Sequence, residues 1–534
     1  MSEETKEEVV SETNEAEVTP ENQTNELPAE DGTATSEQPS PYKGFWAKVD
    51  KFFGISKSGS KFKVEIVAGL TTFMAMVYIL LVNPGIFTTQ LETEAGSGEF
   101  FSIIPGLSFG AMYIATALGA IVGTLLMAFL ARMPLAQASG MGVNAFVVFT
   151  LVLDYGLTYA NAMVFTLLDG VIFVLLTVTG LRKYIFKAIP DEVRKAINVG
   201  LGFFIAFIGF QNAGVIVGDS ATLVSFVSFN FLGSATYGGI IAPLVALLGV
   251  IAIAVLAKKK VKGNILWGIL GSAVLYYILA GLGCAWGDEI CRGVFKQIGE
   301  QFHFNPFSAF ADWGKQSAGK VFYEGFNFSA YLENNSVGSL VLILITSALS
   351  LCILDMFDTL GTLYGACAKG NLLDKDGNPL NMNKCMLADS IATCAGAIAG
   401  TSTVTTFVES SSGVAAGGKT GFTALVTGLC FLVAMFLSPI AQLIPSAATA
   451  TALIWVGVLM ISSVTQIEWT NPAVALPSFF TIAIMAFGYS ISFGIGIGII
   501  STVIVRICTG KIKTISVVTW IIAALFIATF VLTN

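Results

Sequence analysis

Apolar runs of roughly 18 or more residues recur along the chain, divided by short polar or basic turns, and each can cross a hydrocarbon core of about 30 Å. The pattern predicts spans over 66–87, 107–131, 137–153, 159–180, 194–217, 237–257 and 264–282. A polar stretch, 283–336, follows, and then spans over 337–366, 385–402, 407–418, 420–438, 446–463, 473–508 and 513–532. That is about fourteen if 473–508 crosses once; Gly488–Ser492 interrupts it, so a hairpin is the alternative. Runs of this length are far too long for barrel strands, so the spans are helical. The expected fold is an all-α polytopic membrane protein.

Two predicted spans break the pattern. "MPLAQASGMGVNAFVVFT" (133–150) and "TSTVTTFVESSSGVAAGGKTGFTALV" (401–426) are polar and glycine-rich at their centres, and each contains Ser-Gly. Spans 3 and 10 are therefore expected to enter the membrane as short extended segments and continue as half-helices. Irregular backbone at that depth is tolerated only where protein buries it or a cavity wets it. The half-helix N-termini offer free N–H groups and a positive dipole end.

The two halves of the chain echo each other. "AIPDEVRKAINVGLGFFIAFIGF" (188–210) and "LIPSAATATALIWVGVLMI" (443–461) each open on an Ile-Pro pair before an apolar run. With seven spans per half, the first pair lies inside and the second outside. That is an inverted repeat, 7+7, with a substrate site near the midplane.

Charge adds orientation. Residues 1–42 carry twelve acids and one base, a charge of −11, whereas the whole chain is −7, so the remainder is −7 + 11 = +4. The tail is rich in Glu, Thr, Asn and Pro and is expected to be disordered. It lacks the basic start and apolar stretch of a signal peptide. A basic segment, 43–64, follows. Arg182, Lys183, Lys187, Arg194 and Lys195 gather after span 4, and Lys258, Lys259, Lys260 and Lys262 after span 6. The positive-inside rule then puts the N-terminus in the cytoplasm and 283–336 outside. Two of the eight cysteines, Cys284 and Cys291, lie in or beside that loop, as a disulfide or as free thiols. His303, the sole histidine, is a solvated side chain there.

Against a chain only 12% charged and 54% hydrophobic, with mean hydropathy +0.77, the acids inside the spans stand out. Asp355 and Asp358 are spaced i, i+3 and are expected to share a helix face continued by Thr359 and Thr362. Glu409 lies at the break of span 10 and Asn144 at the break of span 3. Acids in spans mark substrate sites or proton relays. Lys419 is the nearest cation and belongs to the cytoplasmic end of its segment. A carboxyl group buried without a counter-charge favours its protonated form, which proton coupling needs.

These residues, together with "AGLTTFMAMVYILLVNPGI" (68–86), "SGMGVNAFV" (139–147), "DMFDTLGT" (355–362) and "FVESSSGVAAGGKTGFTALV" (407–426), resemble the nucleobase–ascorbate superfamily. More narrowly, the chain is similar to its AzgA-like branch of adenine/guanine/hypoxanthine permeases, over roughly residues 45–534. The resemblance implies a core domain (65–190 and 337–443), a gate domain (191–282 and 444–534), purine uptake with protons by alternating access, and a homodimer. Carried over, Glu409 and Asp355 would bind the base, Asn144 would shape the pocket, and Asp358 would support the site or the proton path. Ser410 beside Glu409 completes the expected polar set. Phe73 and Phe407 are the ring faces in it, and Tyr78, Phe146 and Phe357 are also available for stacking. The long acidic tail and the 283–336 loop depart from the family's pattern.

A purine is planar and edged with N–H donors and ring-nitrogen acceptors, and a carboxylate accepts from such donors strongly, often in bidentate fashion. The same architecture is similar to that of sulfate and bicarbonate carriers, but an anion carrier would want a basic pocket. A xanthine or uracil permease is a nearer alternative. No phosphate loop, metal cluster or nucleophile–histidine pair points to an enzyme, a cofactor or a metal, and nothing points to nucleic acid. The expected location is the plasma or inner membrane.

Overall fold

The structure is a computed structural model in which residues 41–92, 100–180, 189–219, 221–231, 235–301, 305–375 and 377–532 are described. The expected disorder of the acidic tail falls almost wholly outside them, as do Arg182, Lys183, Lys187 and His303. Ten helices among the described residues are long and apolar enough to cross a membrane, joined by three shorter apolar helices, Met141–Asp154, Pro472–Phe487 and Val517–Leu532. The ambiguous run is a hairpin. Pro472–Phe487 and Ile491–Cys508 pack side by side. Ser490 caps the second helix by accepting from the Phe493 N–H, a bond that ends the turn and starts the new helix.

The two broken spans complete each other. Gln137–Ser139 and Val404–Thr406 are strands, paired antiparallel with Gln137 opposite Thr406 and Ser139 opposite Val404. The ladder continues through Phe407 N–H to the Ala136 carbonyl and Gly140 N–H to the Thr403 carbonyl, 3.0 Å each. Backbone groups that no helix can satisfy are thus satisfied by the matching break in the other half, as an apolar interior demands. Helices Met141–Ala145 and Ser410–Ala415 then lead away from the strand pair.

The repeat is visible in the packing. Pro190 and Pro445, from the two Ile-Pro pairs, are the N-caps of Asp191–Asn212 and Ser446–Ile461. These helices pack on one another. A Cβ on Gly457 would stand 2.5 Å from the Gly202 carbonyl oxygen, and one on Gly202 would stand 2.9 Å from that of Gly457. Only glycines allow the two backbones this close. Around this pair gather Pro472–Phe487, Tyr237–Lys258 and Asn264–Ala285, the gate. The core is built where Met382–Ala399 meets Tyr159–Thr179 and Phe109–Leu126, and where Gly421–Ala434 meets Phe62–Met76. Val337–Lys369, 33 residues long, runs through it.

One buried acid has a purely local explanation. Glu65, fully buried, accepts from the Lys419 and Thr420 N–H groups at 3.1 and 3.3 Å and from the Thr420 and Thr423 hydroxyls at 2.9 and 2.5 Å. Its carboxylate sits at the N-terminus of Gly421–Ala434, where free N–H groups and the dipole favour negative charge. The Lys419 ammonium turns to the Ser58 carbonyl instead. The 283–336 segment forms four helices, Glu289–Gln301, Ser308–Gln316, Lys320–Tyr323 and Ser329–Leu332, and Trp313 ties it to the core through the Ala399 carbonyl at 2.8 Å. Cys284 and Cys291 are free thiols.

Candidate functional site

Four segments meet beside the strand pair. Tyr78 stands at the joint between Phe62–Met76 and Ile79–Phe87, and its hydroxyl donates to Glu409 Oε1 at 2.6 Å. Glu409 caps the second half-helix and is half-buried. Asp358, from the long helix, accepts from the Thr405 hydroxyl at 3.1 Å and interacts electrostatically with Glu409 and Tyr78. A Cβ on Gly140 would lie only 3.5 Å from Asp358 Oδ2, so the first break leaves the carboxylate room. Asp358 is exposed although protein surrounds it, the condition of a side chain on the wall of an accessible recess.

Asp355 lies on a different side of the same helix. It is fully buried, and neither carboxylate oxygen has a hydroxyl, amide or cationic donor. Its electrostatic neighbours are Asp389, Asp169 and Asp358. Asp389 is well satisfied: Gln137 Nε2 donates at 2.7 Å, Thr359 at 2.8 Å and Thr406 at 3.2 Å. Asp169 accepts from the Thr403 hydroxyl at 3.0 Å with one oxygen, and its other oxygen has no partner. Three buried carboxyl groups therefore share one polar pocket behind the strands. Among the described residues, no lysine or arginine is paired with them, with Asp358 or with Glu409.

The remaining expected residues divide. Asn144 is fully buried; its amide oxygen accepts from Ser402, and its NH2 has no partner. Ser410 bridges the two breaks, accepting from Ala136 N–H at 3.0 Å and donating to its carbonyl at 3.3 Å. Phe407 is buried at the end of the ladder. Phe73 is engaged edge-on with Phe431, ring centroids 5.3 Å apart. Tyr78 serves Glu409 through its hydroxyl as well as offering a ring. Phe146 is fully buried, and Phe357 has the Arg194 guanidinium 5.8 Å from its ring centroid.

Asp169, Asp389, Gln137 and Thr405 were missed in the sequence. For the two aspartates a signal existed: each interrupts an apolar span ("TLLDGVIF", "MLADSIAT"), the same cue that singles out Asp355. For Gln137 and Thr405 there was none, because their importance comes from the strand pairing.

Comparison with known proteins places this geometry. Residues 63–497 match the permease family Xan_ur_permease. The guanine/hypoxanthine permease PbuO of Bacillus subtilis is 36% identical over 482 residues, 89% of this chain and 98% of its own. The adenine permease AdeP of Escherichia coli is 34% identical, covering 90% of this chain and 95% of its own. In fold, the chain is similar to the transmembrane domain of the cyanobacterial bicarbonate transporter BicA, with TM-score 0.51 at 16% identity over 82% of this chain and 97% of that one.

Proposed function

Because this chain belongs to the permease family, within the nucleobase–ascorbate superfamily, we propose that it carries a purine nucleobase of the adenine/guanine/hypoxanthine class into the cell with protons. The observation that supports this most is the accessible acidic wall, Glu409 held by Tyr78 and Asp358 held by Thr405. Two carboxylate acceptors suit the N–H edge of a neutral purine and repel an anion. The unpartnered Asn144 NH2 supplies a donor for a ring nitrogen or carbonyl. The buried group Asp169, Asp355 and Asp389 is the place to hold the coupling proton, because adjacent carboxyl groups without a cation do not all ionise together. Alternating access follows from movement of the core against the gate. The protein would work in the plasma or inner membrane, as a homodimer, with its N-terminus in the cytoplasm.

The test is uptake of labelled hypoxanthine in vesicles, with adenine, guanine, xanthine, uracil and sulfate as competitors. Uptake rises as external pH falls and collapses with a protonophore, and the three purines of the class compete. Competition by sulfate alone points to an anion carrier, and competition by uracil or xanthine alone points to the other branch of the family. Uptake that survives the protonophore but stops when choline replaces sodium means a different coupling ion.

A further inference from the structure

A second polar cavity, of about 220 Å³, opens on the side of the 283–336 loop, lined by Leu153, Asp154, Tyr155, Tyr331, Asn335 and Ile343. It is separate from the Glu409 recess. Ile343 on the cavity wall and Asp358 on the recess wall are fifteen residues apart on the long helix, about 22 Å of rise.

The cavity lies beside the seam between core and gate: its lining comes from the first core half, the 283–336 loop and the long helix, and the gate hairpin approaches it where Phe493 meets Tyr155. Asp154 is exposed and lies beside Ser490 of the gate hairpin. Asn335, also exposed, donates its NH2 to the Tyr331 carbonyl at 3.1 Å, which leaves its amide oxygen as a second acceptor. The Tyr331 hydroxyl is fixed to Ser339 at 2.8 Å. Beside the cavity the seam is closed by rings. Tyr155 meets Phe493 at 6.2 Å, and Tyr489 of the hairpin meets Phe149 of the core at 5.3 Å.

We infer that this cavity is a peripheral subsite that holds the nucleobase before the seam opens, an inference that rests on the purine reading above. Its volume is below the roughly 300–1,000 Å³ of sites for drug-sized ligands, so a single planar ring system fits and a nucleotide does not. Asp154 and Asn335 accept from N–H groups on the ring's edge, Leu153 and Ile343 cover its face, and the Asp154 carboxylate repels anions.

The test uses the full chain in vesicles with Leu153→Cys, a wall position that supplies no hydrogen bond to the ring, labelled by a membrane-impermeant maleimide and read by peptide mass. Hypoxanthine slows the labelling several-fold, does so equally when Glu409→Gln is added, and fails to do so when Asp154→Asn is added. Asn335→Cys repeats the measurement from the opposite wall and, with one proposed acceptor removed, shows weaker protection. Protection that vanishes with Glu409→Gln overturns the subsite, because it then reports a movement driven from the Glu409 recess. Normal hypoxanthine uptake with no protection at either cysteine also overturns the subsite and leaves the purine reading standing. Absence of both uptake and protection overturns both.

Discussion

Asp355 and Asp358 stand three residues apart on one helix and live in different surroundings. Asp358 is exposed to a recess, is steadied by Thr405 and shares that recess with Glu409. Asp355 is sealed behind the strand pair with Asp389 and Asp169 and accepts from no hydroxyl, amide or cation. Three residues turn an α-helix by about 300°, so the two side chains point about 60° apart. That angle is enough to put one acid on an accessible wall and the other in a closed pocket. A single helix thereby carries one exposed and one sealed carboxyl group, and the proposed function gives the ligand to the first and the proton to the second.

The sharpest way to break this division is at Glu409. Glu409→Ala removes the acceptor from the accessible wall and strands a base N–H in a confined site, at about 2–5 kcal/mol. Hypoxanthine binding falls by more than tenfold with normal surface expression; unchanged affinity removes Glu409 from the site. Asp358→Asn comes next, at about 1.5–3 kcal/mol, the worth of a hydrogen bond to a charged group, measured as a rise in the dissociation constant. Tyr78→Phe is milder. It deletes the 2.6 Å bond to Glu409 without removing an acceptor from the wall, and should weaken binding by about 1 kcal/mol; a loss as large as that of Glu409→Ala would make Tyr78 a direct ligand. Asp355→Asn has the smallest effect on affinity, and its mark is a flattened pH dependence of uptake.

Much of this arrangement was legible beforehand. The Ile-Pro pairs announced the repeat, and they cap the two helices whose glycines cross. Ser-Gly inside two apolar spans announced the extended breaks, because only polar, small residues make irregular backbone at that depth tolerable. Glu409 stood out as an acid at such a break. The facing of Asp355 and Asp358 was not legible: spacing i, i+3 says that two residues are neighbours on a helix, and which neighbour meets a cavity is decided by the elements packed around it. The hairpin within 473–508 is hidden for the same reason, since an apolar run with glycines reads alike whether it bends or continues. Ser410 has a structural role that its sequence position did not reveal. Its place beside Glu409 suggested ligand binding, and in the structure its hydroxyl joins the two breaks through the Ala136 backbone.

The direct test of the division is calorimetry of hypoxanthine binding to purified Asp358→Asn and Asp355→Asn proteins, side by side at two pH values. Asp358→Asn should lose affinity at both, by roughly tenfold or more, as about 1.5–3 kcal/mol requires. Asp355→Asn should bind close to the parent protein but without the parent's change of affinity with pH. Normal binding by Asp358→Asn together with lost binding by Asp355→Asn would contradict the account, placing the base against the sealed acid and the proton on the exposed one.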